Sequence, residues 1–175
     1  MARRRYRRYR RRSGRWAPNI IKVSDRLFAP SGEWGVSEDL AVNPVQVNTG
    51  VSQTYTVKNF EISFSLETAT ASGGYLESIT IYVMYVPQGM AVSSSYYAEH
   101  PEYIMAYKYI GSPGVISTTN SEEGQQYQPI KIRSRLSRKL QTGDKVILFV
   151  QGSNEYSSSV QFNIDGIVRW WSKAN

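Results

Sequence analysis

The chain predicts an all-β fold, a β-sandwich or closed barrel of about eight strands behind a disordered basic N-terminal arm. Nine of the first fifteen residues are arginine, and no acidic residue precedes Asp25. From about Asn19 the composition turns to Val, Ile, Tyr, Phe and Thr in short runs separated by turn residues. Several of those runs alternate apolar and polar residues with period 2, and no stretch sustains a 3.6-residue period.

The arm comes first. Of the chain's 21 Lys and Arg, ten lie in the first 22 residues with no acid among them, which leaves eleven against 14 Asp and Glu in the remainder. The formal +7 is therefore a strongly cationic arm on a slightly acidic body. Like charges at every spacing and almost no apolar surface leave residues 1–18 unable to offset their own ordering entropy. Arginine is a planar fork of N–H donors that matches phosphate oxygens and keeps its charge at neutral pH. Arg3, Arg4, Arg5, Arg7, Arg8, Arg10, Arg11, Arg12 and Arg15 are accordingly read as nucleic-acid contacts. Tyr6, Tyr9 and Trp16 add rings able to stack on unpaired bases. An import signal for the nucleus has the same composition, and one arm can serve both roles.

The body begins at residue 19, and its strands follow in order. Residues 19–27 are a first, weakly patterned candidate; 40–47 are a second, which Pro44 demotes to an edge or a bulge. In 60–66, Phe60, Ile62, Phe64 and Leu66 oppose Glu61, Ser63 and Ser65. Tyr55 and Val57 have the opposite parity, which places a bulge or bend near Lys58 and Asn59. In 75–86, Tyr75, Ile79, Ile81, Val83 and Tyr85 share one side. Pro101 and Glu102 open a helical turn within 99–106, ahead of a candidate strand over 103–110. In 128–138, Ile130, Ile132 and Leu136 are expected on a buried face opposite Lys131, Arg133 and Arg135, with Arg138 and Lys139 continuing the basic cluster. Gly143 and Asp144 form a tight turn into 146–150, whose continuous apolar character predicts a strand covered on both faces. In 160–170, Val160, Phe162, Ile164, Val168 and Trp170 form the last stripe.

Lys131, Arg133 and Arg135 are candidate additional nucleic-acid contacts, weighed evenly against an ordinary solvated face. Arm and cluster on one side of the fold would favour function. Catalysis is poorly served, and the chain reads as a non-enzyme. Cysteine is absent and His100 is the single histidine, so thiol nucleophiles, zinc sites and histidine triads lack their residues. A surface or packing role is expected for His100. No phosphate-cradling glycine motif occurs, and no cofactor or metal is expected. The acidic pairs Glu38-Asp39 and Glu122-Glu123 read as solvated loops. No apolar segment follows the basic start, and none reaches the roughly 20 residues of a membrane span, so the chain reads as soluble and non-secreted. Thirteen tyrosines and four tryptophans exceed the needs of one small core, and some are expected at a subunit interface.

The opening Met1-Ala2-Arg3-Arg4-Arg5-Tyr6-Arg7-Arg8-Tyr9 resembles the start of capsid proteins from circoviruses, cycloviruses and related small circular single-stranded DNA viruses. Val86-Pro87-Gln88-Gly89, His100-Pro101-Glu102-Tyr103, Ser137-Arg138-Lys139-Leu140 with Gly143-Asp144, and Val168-Arg169-Trp170-Trp171-Ser172-Lys173 are similar to segments of that wider group. The resemblance implies a single eight-stranded jelly-roll domain over 19–175, assembled into an icosahedral shell with the arm turned inward. It also implies a single-stranded circular DNA genome as cargo, a host nuclear import receptor as partner, an unidentified cell-surface receptor, and a life divided between virion and nucleus. About sixty copies would bring roughly 540 arm arginines to the genome. Two other readings of the arm stay open: a cellular or ribosomal nucleic-acid-binding protein with a basic tail, and an RNA-virus coat protein. Phosphate contacts do not separate DNA from RNA.

Overall fold

The computed structural model describes residues 15–30, 32–40, 54–69, 78–111, 128–154 and 160–175. Eight strands make up most of them: β1 (Ala17–Ala29), β2 (Gly32–Asp39), β3 (Tyr55–Ala69), β4 (Ser78–Val86), β5 (Ile104–Gly111), β6 (Gln128–Leu140), β7 (Lys145–Asn154) and β8 (Val160–Ala174). Between β4 and β5 lie a one-turn helix, α1 (Tyr96–Glu99), and a 3-10 turn at Pro101–Tyr103.

The strands form two antiparallel sheets, ordered β1-β8-β3-β6 and β2-β7-β4-β5. β1 pairs with β8, β2 with β7, β3 with β6 and β4 with β5. The chain is therefore one long antiparallel ribbon, doubled back between β4 and β5 and wound so that successive strand pairs alternate between sheets. That winding is the jelly roll, and it rests here on strand order alone.

Period-2 alternation builds the core between the sheets. The first sheet turns inward Val57, Phe60, Ile62 and Phe64 of β3, Ile130 and Ile132 of β6, and Ile164, Val168 and Trp170 of β8. The second contributes Trp34, Ile79, Ile81, Val83, Val146, Leu148 and Val150. The parity change expected near Lys58 and Asn59 is a bulge, with a register shift between Lys58 and Phe60 and Asn59 in the left-handed region at φ 53°.

The second sheet is buried on its outer side as well. Met84, Val86, Ile147 and Phe149 point away from the main core and meet Tyr96 of α1 in a second apolar cluster. This is why 146–150 is apolar without alternation. The cover lies close: a Cβ on Gly35 of β2 would stand 2.3 Å from the Ser94 carbonyl oxygen and 2.5 Å from the Phe149 ring. Asp144 ties the cover to the turn before β7. Its Oδ2 accepts from the Tyr85 hydroxyl at 2.9 Å and from the Gln141 N–H at 2.8 Å, and its Oδ1 accepts from the Gln88 N–H at 3.0 Å. Gly143, at φ 87°, gives that turn the positive dihedral it needs.

Three expectations need correction. A strand precedes the expected 40–47: β2 occupies Gly32–Asp39, Leu40 is a buried residue just beyond it, and 41–47 lie outside the described residues. Two glycines and three acids masked β2, although Trp34 faces inward as alternation requires. Leu136 has the expected parity but is 54% exposed. Beyond Ser134, whose hydroxyl donates to the Met105 carbonyl, β6 runs along the seam with β5 instead of over the second sheet. The expected helical turn at Pro101 is present, but α1 ahead of it was not anticipated.

Candidate nucleic-acid interface

The outer face of the first sheet gathers residues from both ends and the middle of the chain. β6 presents Lys131, Arg133, Arg135 and Lys139; β8 presents Arg169 and Lys173; β3 presents Lys58, and β1 presents Lys22. Among the described side chains of this face, those eight cations stand against two carboxylates, Glu61 and Asp165. Strand pairing sets them in rows across the sheet. Lys22, Ile167, Ser63 and Lys131 make one row, and Ile20, Arg169, Glu61 and Arg133 the next. Neighbouring strands are about 4.8 Å apart, so each row spans about 14 Å.

The root of the arm lies on this same face. β1 begins at Ala17, opposite Ser172 of β8, and Trp16 immediately before it stands with its ring centroid 3.9 Å from the Lys58 ammonium. Arg169 lies over the Trp171 ring at 5.2 Å. Arg15 is exposed. Arg3 to Arg12, with Tyr6 and Tyr9, lie outside the described residues.

Charge on this face is free to meet a ligand. Glu61 approaches Arg133 at 3.6 Å, but both side chains are largely in water, where such a pair contributes little. Lys131, Arg133 and Arg135 point outward, as alternation required, with Ile130 and Ile132 buried behind them. Lys58, Arg169 and Lys173 join the patch without having been singled out in the sequence. Their outward parity was readable, but their adjacency depends on the order β1-β8-β3-β6, which brings the chain's last strand between its first and third.

The opposite side of the sandwich has another chemistry. Its described surface carries Glu33, Asp39, Glu99 and Glu102 against Lys145, with Arg138 reaching the Glu102 carbonyl at the seam, and Asp39 pairs with Lys145 at 3.2 Å. Hydroxyls of Ser95 and Ser93 donate to the Glu99 carboxylate and hold its pKa below the usual value. Tyrosines dominate the rest. Tyr82 stacks on Tyr97 at 5.1 Å and leans on Tyr107 at 6.2 Å, while Tyr107 and Tyr109 on the edge strand β5 are 68% and 60% exposed. Burial pushes the pKa of Tyr96 up to about 12. Burial, then the bond to Asp144, does the same to Tyr85. His100 packs between Tyr96 and Tyr103, at 5.0 and 5.2 Å, in the packing role expected of it. Glu122 and Glu123 lie outside the described residues.

No protein-family model and no curated protein matches the chain. Among solved structures it is similar to a turnip yellow mosaic virus protein, at 14% identity and a TM-score of 0.36 over 87% of this chain and 93% of that one. It is similar also to a decameric BFDV capsid protein, at 8% identity and 0.37 over 92% and 99%. A third is an infectious bursal disease virus-derived T=1 particle, at 10% identity and 0.30 over 90% and 41%. Scores of this size carry no argument about role, and the fold assignment stands on the strand order described above.

Proposed function

We propose that the chain is a viral coat protein, without enzymatic activity, whose jelly-roll domain assembles into a closed icosahedral shell around a nucleic-acid genome. The arginine arm and the basic sheet face the lumen and neutralise packaged phosphates. The tyrosine-rich, acidic side and the edge strands face outward or meet neighbouring copies. The cargo proposed is a single-stranded circular DNA, and the arm doubles as the signal that brings newly made protein to the nucleus.

One observation carries this reading: the arm root at Trp16 and the cationic outer face of β1-β8-β3-β6 are on the same side of the sandwich. A domain basic on one side and acidic on the other is built to separate a polyanion from the exterior. An edge strand lined with exposed tyrosines suits lateral contacts, where amphipathic rings are enriched.

The test is electron microscopy of the purified full chain, with nuclease digestion of the same fraction. Uniform closed particles holding nuclease-resistant nucleic acid are the expected result, and extraction of that acid distinguishes DNA from RNA. A monomer that binds nucleic acid stoichiometrically at every protein and salt concentration would overturn the coat reading in favour of a basic-tailed binding protein.

A further inference from the structure

The basic face is not uniformly basic. At its end, over β8, β3 and β6, lies a trough of about 470 Å³ with Gly166, Ile167, Ser63 and Ser65 among its lining, Asp165 beside them and Lys131 at one end. Three features make it unlike the surrounding cationic surface. Gly166 shares its parity with the inward-facing Ile164 and Val168, so it offers only its backbone to the trough. Ile167 keeps 44% of its surface in water between Lys22 and Lys131, an apolar platform within a charged row. Asp165 is an exposed carboxylate that makes no ion pair among the described residues, although two lysines lie one row away.

We propose that this trough is a base-binding subsite: one unpaired nucleobase lies flat on Ile167 and the Gly166 backbone, its edge donating to the Asp165 carboxylate. The flanking sugar-phosphates then fall on Lys22 and Lys131. This proposal rests on the coat reading's premise that the sheet faces nucleic acid, and it adds a selectivity that phosphate contacts lack. A carboxylate in a phosphate-binding face repels the backbone, a cost that a hydrogen bond from a base edge offsets. Cytosine offers the N–H bonds of its N4 amino group, whereas thymine and uracil present an O4 acceptor there and leave only the N3–H beside that repelled oxygen. The subsite therefore favours cytosine over thymine or uracil. Ser63 and Ser65 leave room for the ring.

The experiment measures binding of the full chain to short single-stranded oligomers of cytosine and of thymine or uracil, as DNA and as RNA. Comparing pyrimidines keeps stacking on Tyr6, Tyr9 and Trp16 nearly constant, so the ratio reports the trough. A hydrogen bond to a charged acceptor predicts about tenfold tighter binding of the cytosine oligomer, in DNA, RNA or both. Asp165→Asn should shrink that ratio, and Ser63→Leu, which fills the trough, should abolish it while leaving the salt dependence in place. Both positions are exposed, so neither change threatens the fold. Equal, appreciable binding of both pyrimidines, or a ratio indifferent to both variants, overturns the subsite and leaves the coat reading intact. Absence of binding to any oligomer overturns both.

Discussion

Lys58 holds its ammonium 3.9 Å from the centroid of the Trp16 ring, which pins the root of the arginine arm to the outer face of the first sheet. A cation over a half-buried indole at the surface contributes about 0.5–1 kcal/mol. Trp16→Ala should therefore lower stability by about that amount in urea unfolding and speed amide exchange over residues 17–20. Unchanged exchange there would mean that the contact does not fix where the arm leaves the body.

Removing residues 2–15 should leave the domain folded, since the core of the described residues lies between two sheets whose first strand begins at Ala17. It should also abolish nucleic-acid retention, measured by the absorbance ratio at 260 and 280 nm of the purified protein. If all nine arm arginines engage single-stranded phosphates, log K for the intact chain falls with log[salt] at a slope of about −6. A deletion that unfolds the body would contradict the separation of arm and domain.

The basic sheet makes its own contribution to that slope. Changing Lys131, Arg133 and Arg135 together to Gln should make it shallower by about 2. The side chains are exposed, so thermal stability should stay within about 0.5 kcal/mol of the parent. An unchanged slope would assign the strand to an ordinary solvated surface.

Asp144 accepts three hydrogen bonds while nearly buried, and each donor is left without its acceptor in Asp144→Ala. The expected loss is about 3 kcal/mol in denaturant unfolding, with Asp144→Asn costing less because one oxygen remains. The neighbouring Tyr85, like Tyr96, has its pKa raised to about 12 from the ordinary 10. A folded-state pKa above the unfolded one stabilises the protein fully below pH 10, and that stabilisation is lost as pH rises towards 12. Alkaline ultraviolet titration should resolve a tyrosine class ionising only in that range, together with loss of structure. Ionisation of every tyrosine near pH 10 in the folded state would refute the burial.

Much of this fold was legible because alternation is a local signal. Ile79, Ile81 and Val83 declared the inward face of β4, and the parity change between Val57 and Phe60 declared the bulge before any pairing was known. The continuous run of β7 declared that something covers its second face, though the identity of the cover, Tyr96 of α1, depends on a loop folding back over Gly35. β2 was missed because its glycine answers to Ser94 and Phe149, residues distant in sequence, and not to strand propensity. The candidate site was half legible. Lys131, Arg133 and Arg135 share a strand and could be grouped by parity. Arg169, Lys58 and Lys22 belong to other strands, and only the winding of the ribbon sets them beside one another. Leu136 shows the converse limit: parity gives the side a residue faces, and the length of the opposing sheet decides whether anything lies there.

The central claim is that this sandwich has an inside and an outside. A cryo-electron microscopy reconstruction of the assembled particle tests it most directly. The account predicts β1-β8-β3-β6 lining the lumen, with density for nucleic acid over Lys131, Arg133 and Arg169, and the tyrosine-bearing sheet and its cover away from it. A reconstruction with that basic sheet on the outer surface, or with nucleic acid against the sheet β2-β7-β4-β5, would contradict it.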